Sequence, residues 1–201
     1  MIVKVEKMDH QGRGIAKVND KTVFIYNALP DELVDIRVIK ENKRIMEAVV
    51  LKYIEASKKR INPICPYYLE CGGCDLMHIN YNDELEYKEN KIRQIIEKFT
   101  TLPLQIIKPI VGNSYDNYRN KVTFHVDSKI GYYSKKSFKI IDIDNCFIAS
   151  NEINDILKNL KDINLNNIYE IVIRTSKYMN DKMIVLKINN YINEEEIIDK
   201  L

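Results

Sequence analysis

The four cysteines of this 201-residue chain are spread unevenly: Cys65, Cys71 and Cys74 share one ten-residue stretch, CPYYLECGGC, and Cys146 follows after 71 intervening residues. Thiolates from one loop can surround a metal or cluster because Gly72 and Gly73 can take the positive-φ conformations that let the backbone fold around the sulfurs. Four chemistries compete for such a set. Disulfides suit small secreted proteins, and nothing else in the sequence looks secreted. A redox pair of Cys71 and Cys74 should open a helix after a strand in a βαβ unit, whereas this stretch has no periodicity. Zinc held by all four thiols is a serious candidate, although structural zinc sites more often use two short cysteine pairs. An iron–sulfur cluster suits the three-plus-one arrangement, in which a compact triplet is joined by a distant fourth ligand. Residue chemistry alone leaves zinc and cluster open. His78 lies four residues beyond Cys74 but reads better as a histidine opening a helical region. His10 and His125 show no partner pattern, and no catalytic residue is assigned.

Composition sets the frame for this site. With 45% hydrophobic and 30% charged residues the chain is an ordinary globular protein. Apolar runs are strand-sized, and the N-terminal MIVKVEKMDH carries charges where a signal peptide needs an unbroken apolar run. The expectation is a cytoplasmic monomer with no membrane contact. The net charge of +2 is uneven, with thirteen Lys/Arg against nine Asp/Glu in residues 1–60 and eighteen against twenty in the rest. The basic runs RVIKENKR (37–44) and KKR (58–60) make nucleic acid a candidate partner. A solvated basic face is the blander alternative.

The elements that must position the cysteines follow from periodicity. Residues 2–8, 22–26, 33–39 and 45–54 alternate apolar and polar side chains, with turn signals between them. So many short strands in about 55 residues predict a small closed all-β OB-like barrel, which removes sheet edges. The period fails from 56 to 81. A helix follows, with Asn82 as its cap, Leu85, Ile92, Ile95, Ile96 and Phe99 as its apolar stripe, and Pro103 beyond its end. Short strands are expected within 118–148, then a helix capped by Ser150 or Asn151 and running to about Leu160, then strands at 168–176 and 182–189. Acidic residues after Asn193 open a last helix that stops within about two turns, which reads as a cut.

The order of basic barrel, CPYYLECGGCDLMHINYNDELEYKENKIRQII and YRNKVTFHV…GYYSKKSFKIIDIDNC closely resembles the RNA (uracil-C5)-methyltransferases that carry a TRAM domain and a [4Fe-4S] cluster. The resemblance implies Cys65, Cys71, Cys74 and Cys146 as cluster ligands and HQGRGIAKV as a TRAM turn. It divides the chain into a TRAM-like RNA-binding barrel (1–56), a central α+β iron–sulfur domain (57–192) and the start of a truncated helix (193–201). Family members continue into a Rossmann-like domain that binds S-adenosylmethionine and supplies a nucleophilic cysteine and a base. The expected fold class is therefore barrel plus α+β domain with the Rossmann-like domain absent, inactive by itself. The implied function is the front of an enzyme that makes 5-methyluridine, in 23S rRNA ahead of tRNA; the alternative is a stand-alone RNA-binding module with a four-cysteine zinc site. Cations for phosphates and rings for splayed bases are the tools such a part needs. The candidates are Arg13, Lys17, Lys58, Lys59 and Arg60 near the barrel, and Tyr118, Arg119, Lys121, Tyr132, Tyr133, Lys135 and Lys136 beyond it.

Overall fold

A two-residue period buries alternate side chains of a strand on one face, and in the N-terminal region Val3, Val5, Ala16, Val23, Ile25, Val34, Ile36, Met46 and Ala48 pack into one core on this rule. In the computed structural model, which describes residues 1–102, 111–112, 114–135, 137–176 and 178–200, they belong to strands β1 (Ile2–Lys4), β3 (Gly14–Val18), β4 (Lys21–Tyr26), β5 (Leu33–Glu41) and β6 (Ile45–Glu55), with Val5 just before β2 (Lys7–Met8). The sheet order is β1-β5-β6-β4-β3-β2, with β4 and β6 parallel and every other pair antiparallel. Strands β1 and β2 are halves of one bent stretch. The first half pairs with β5 and the second with β3, while Val5 N donates to Glu32 O (2.9 Å) and Glu6 N to Ile15 O (2.8 Å) at the bend. The stretch thus spans both edges of the sheet and leaves neither open. The β3–β4 hairpin turns on Asn19 and Asp20, both at positive φ (47° and 62°), as a type I′ turn requires. Gly12 also has positive φ, at 77°, where a side chain would be strained.

The end of this sheet is tied back by a buried ion pair. Glu32 is fully buried and accepts from Leu29 N (2.8 Å), Ser57 N (3.1 Å) and Arg60 Nη2 (2.8 Å). Arg60 also donates to Asn27 O (2.7 Å) and lies 4.1 Å above the Tyr53 ring. Helix α1 (Tyr81–Phe99) belongs to the same unit. Its contacts to the barrel side are polar: Lys59 Nζ meets Asp83 and Glu86, each at 2.9 Å, Tyr87 OH donates to Asp9 O, and Lys91 Nζ to His10 O (2.7 Å). The cap is Asn80, whose Oδ1 accepts from Asp83 N at 3.0 Å, rather than the expected Asn82. The expected apolar stripe is also corrected, since no residue of α1 is buried and Ile92, Ile95 and Phe99 are exposed. Pro103 lies outside the described residues.

The second unit holds β7 (Lys121–Val126), β8 (Ile130–Tyr133), β9 (Ile140–Asp142), α2 (Asn151–Lys161), β10 (Ile168–Ser176), β11 (Asp181–Ile188) and α3 (Glu194–Ile198). Its antiparallel sheet runs β11-β10-β7-β8-β9. The Ser150 side chain accepts from Ile153 N (3.4 Å) to cap α2, which buries Ile153, Ile156, Leu157 and Leu160 against Phe124, Ile141, Ile171 and Ile173 of the sheet.

The expected barrel followed by one continuous α+β stretch is corrected in its connectivity. The chain crosses between the units three times: Met1–Pro63 and Asp75–Val111 form one, Ile64–Cys74 and Gly112–Leu201 the other. Local periodicity cannot show this, because the return of α1 to the barrel and of the cysteine loop to the second sheet rests on long-range contacts. Among the described residues no helix is long and apolar enough to cross a membrane.

Removing one partner of a buried ion pair strands the other charge. Arg60→Leu is therefore expected to lower the unfolding free energy by roughly 3–5 kcal/mol, read as a fall in the urea midpoint at constant m-value. A drop under about 1 kcal/mol, the size of an exposed pair, would contradict this role.

Candidate metal centre

All four cysteines fall in the second unit, although three come from a loop more than seventy residues before the fourth. The loop has no strand or helix of its own. Its turns close through Tyr68 N to Cys65 O (3.2 Å), Glu70 N to Tyr67 O (3.0 Å) and Cys71 N to Tyr67 O (2.7 Å). It then joins the end of β8, where Gly72 N donates to Tyr133 O (2.9 Å), Lys135 N to Glu70 O (3.2 Å), and Cys71 bridges Ser134. Gly72 and Gly73 do not use the positive φ open to them. Gly72 serves by smallness instead: a Cβ there would sit 2.9 Å from Tyr133 O.

Cys146 lies between β9 and α2. Asn154, on the first turn of α2, accepts from Cys146 N (2.8 Å) and donates to Cys146 O (3.2 Å) and Ala149 O (3.4 Å). Beyond it, Tyr67 OH donates to Asp144 (3.1 Å) and accepts from Asp144 N (3.2 Å), while Lys161 reaches Asp142 and Asp144. These partners tie the Cys146 turn to the cysteine loop from outside. Sequence reading missed Asn154, whose only advance signal is a polar residue on the first turn of an otherwise apolar helix face.

The thiols are half-buried and free of disulfides, and they stand close enough to feel one another: Cys146 acts on Cys65, Cys71 and Cys74, and Cys74 also feels Cys65 and Cys71. Burial is the main force pushing the Cys65 and Cys71 thiols up, and it raises Cys74 to about 11 with added repulsion from Cys146. Stabilising contacts surround them. Gly73 N donates to Cys71 Sγ (3.4 Å), Tyr132 OH to Cys146 Sγ (3.8 Å), Arg119 favours the Cys74 thiolate and Lys135 that of Cys71. Four thiols drawn together with N–H and O–H donors and two cations beside them are chemically fitted to a positively charged metal group, whose charge would offset the repulsion among thiolates. Among the described residues, no three His, Cys, Asp or Glu side chains stand as the shell of a single metal ion. His78 belongs to the other unit, buried, its carbonyl accepting from Ile61 N (3.1 Å).

The twelve residues expected to contact RNA divide by their partners. Arg13 pairs with Asp9 (2.7 Å) and lies 4.4 Å above Phe24; Arg60 is held by Glu32, and Lys59 by Asp83 and Glu86. These three are taken up by the barrel unit. Arg119, Lys135 and Tyr132 stand at the thiols, with Lys135 also 4.2 Å above the buried Tyr68 ring. Lys17, Lys58, Tyr118 and Lys121 are exposed, Tyr133 is half-buried, and Lys136 lies outside the described residues.

A closed barrel of six short strands, joined to a unit that gathers four cysteines, defines the class, and the TRAM domain model matches residues 1–51. The chain is 35% identical to the 23S rRNA (uracil(1939)-C(5))-methyltransferase RlmD of Vibrio parahaemolyticus, over 77% of this chain and 37% of that protein. It is 31% identical to an uncharacterized RNA methyltransferase of Clostridium tetani, over 96% of this chain and 46% of the relative. The crystal structure of Pyrococcus abyssi tRNA (uracil-54, C5)-methyltransferase in complex with S-adenosyl-L-homocysteine covers 100% of this chain and 49% of its own, with a TM-score of 0.75 at 20% identity. The first 51 residues thus match a TRAM domain, and over the shared region the chain is similar to proteins named RNA methyltransferases. It spans about a third to a half of the length of the proteins it matches.

These matches correct the expected fold class, in which a missing Rossmann-like domain was itself a feature. The whole chain aligns with a methyltransferase structure and up to 96% of it with a named RNA methyltransferase. Its fold is shared over its whole length with that structure, and its extent says nothing of what the protein lacks.

Only the thiolate is nucleophilic, so alkylation reports the raised thiol directly. In metal-free protein the alkylation rate of Cys74 is expected to climb about tenfold per pH unit past pH 9, where an ordinary thiol levels off, and to flatten only near 11. Levelling near 9 would show that the site does not disfavour the thiolate.

Proposed function

We propose that the chain is the RNA-holding, [4Fe-4S]-bearing part of a cytoplasmic, S-adenosylmethionine-dependent RNA (uracil-C5)-methyltransferase that forms 5-methyluridine in 23S rRNA. The observation that carries this reading is the convergence of Cys65, Cys71, Cys74 and Cys146 in one unit, in a chain whose relatives are named RNA methyltransferases. The preference for rRNA rests on the name of the Vibrio relative.

A bound cluster supplies a rigid multivalent cross-link between the loop and the Cys146 turn, and methyl transfer to a base moves no electrons that would call on it for redox work. The surrounding residues do the rest. Asn154 sets the direction of Cys146, Gly73 N–H and Tyr132 O–H meet the sulfurs, and Arg119 and Lys135 offset thiolate charge. The family's reaction adds a cysteine thiolate to uracil C6 so that C5 becomes nucleophilic. With all four cysteines holding the cluster, that thiolate is not among residues 1–201. The barrel and the second unit have the separate task of holding RNA around an unstacked base.

Anaerobically purified protein is expected to be brown and to contain about four iron and four sulfide per chain, with Cys146→Ser sharply reducing both. Stoichiometric zinc without iron would overturn the cluster and favour a colourless four-thiolate site.

A further inference from the structure

The second sheet has two faces, and only one packs against α2. The opposite face carries Lys121, Thr123 and His125 of β7, Tyr133 of β8, Val172 and Arg174 of β10 and Met183 and Val185 of β11, because residues two apart share a face and the register sets Arg174 against Lys121 and Val172 against Thr123. Met183 (49%) and Val185 (41%) remain exposed there. An aromatic stack rises from this face. The His125 and Tyr133 rings lie 3.6 Å apart and 10° from parallel, and Phe138, on the turn after β8, meets Tyr133 edge-on at 5.4 Å. Phe138 is 87% exposed, so the hydrophobic effect offers no folding reason for its ring. Burial holds the His125 imidazole below its ordinary pKa against the pull of Glu170 3.7 Å away, so the stack is between neutral rings at neutral pH. Lys121 and Arg174 stand side by side on this face, at the end of β7 away from His125, and neither has a carboxylate within ion-pair distance among the described residues.

We propose that this open sheet face is a stacking platform for single-stranded RNA, with Phe138 taking an unstacked base and Lys121 and Arg174 the neighbouring phosphates. An exposed ring set over a sheet face that also carries unpaired cations fits a base and its neighbouring phosphates, and a base offers its face only when it is out of a duplex. The platform rests on the RNA reading above and gives it a place: the half of the chain that also holds the thiols. Tyr133, which props Phe138, is the same residue whose carbonyl receives Gly72 N, so the cysteine loop and the platform share one hairpin.

The test is a titration of the metal-loaded chain into a short single-stranded RNA carrying 2-aminopurine, whose fluorescence falls when the base stacks. The wild type is expected to quench and to prefer this RNA over its duplex. Phe138→Leu should abolish the quench and weaken binding about tenfold, and Phe138→Trp should restore both. Changing Lys121 and Arg174 to Gln should lower the slope of log K against log salt by about 0.7 for each phosphate that is no longer neutralised. Circular dichroism and metal content, unchanged in each variant, exclude misfolding. Binding and quenching untouched by Phe138→Leu, or equal affinity for duplex, would overturn the platform while leaving the RNA reading intact. A wild type that binds no RNA would overturn both.

Discussion

The second unit depends on bringing four thiols from two distant stretches of chain into one half-buried place. Burial raises three of these thiols above an ordinary cysteine, and the four repel one another once charged. Something must oppose that repulsion. The protein contributes two cations, an N–H and an O–H aimed at sulfur, and a loop glycine small enough to let the backbone close on the end of β8. Those contacts gather the sulfurs, and on the proposed reading a multivalent metal group supplies the remaining counter-charge. The surrounding geometry serves this convergence: Asn154 fixes one end, and the Cys71–Ser134 bridge fixes the other.

The barrel unit solves a different problem. It has little helix packing to stabilise it, since α1 buries none of its residues and docks through ion pairs and hydrogen bonds. Its order comes from the bent first strand that spans both sheet edges and from Glu32, which joins Leu29, Ser57 and Arg60 around one buried carboxylate. Cations clustered near a barrel thus divide into those that build it and those, Lys17 and Lys58, that stay exposed.

That division marks the limit of what the sequence could show. Period-two alternation located most of the strands, and Ser150 with Ile153, Ile156, Leu157 and Leu160 located α2, because these signals are local and repeat along the chain. The cysteine spacing singled out the site for the same reason. Partner choice is not local. Arg13, Arg60, Arg119 and Lys135 look alike as basic residues beside aromatics, yet two are taken up in the barrel and two stand at the thiols. Strand β3 was hidden between two turn signals, and Phe138 and Arg174 have no pattern until the register places them. The error about the Rossmann-like domain had another source, the treatment of where the chain stops as a property of its fold.

Hydrogen exchange of the metal-loaded chain and of the same chain after chelation measures whether the thiol convergence organises the second unit. The prediction is that amides of the cysteine loop (65–74), the β8 end and the Cys146 turn exchange faster together on metal removal, through brief openings of a loop that stays mostly closed, while those of β3 to β6 do not change. A cysteine loop that keeps its protection without metal, or opens while the Cys146 turn stays closed, would contradict the account.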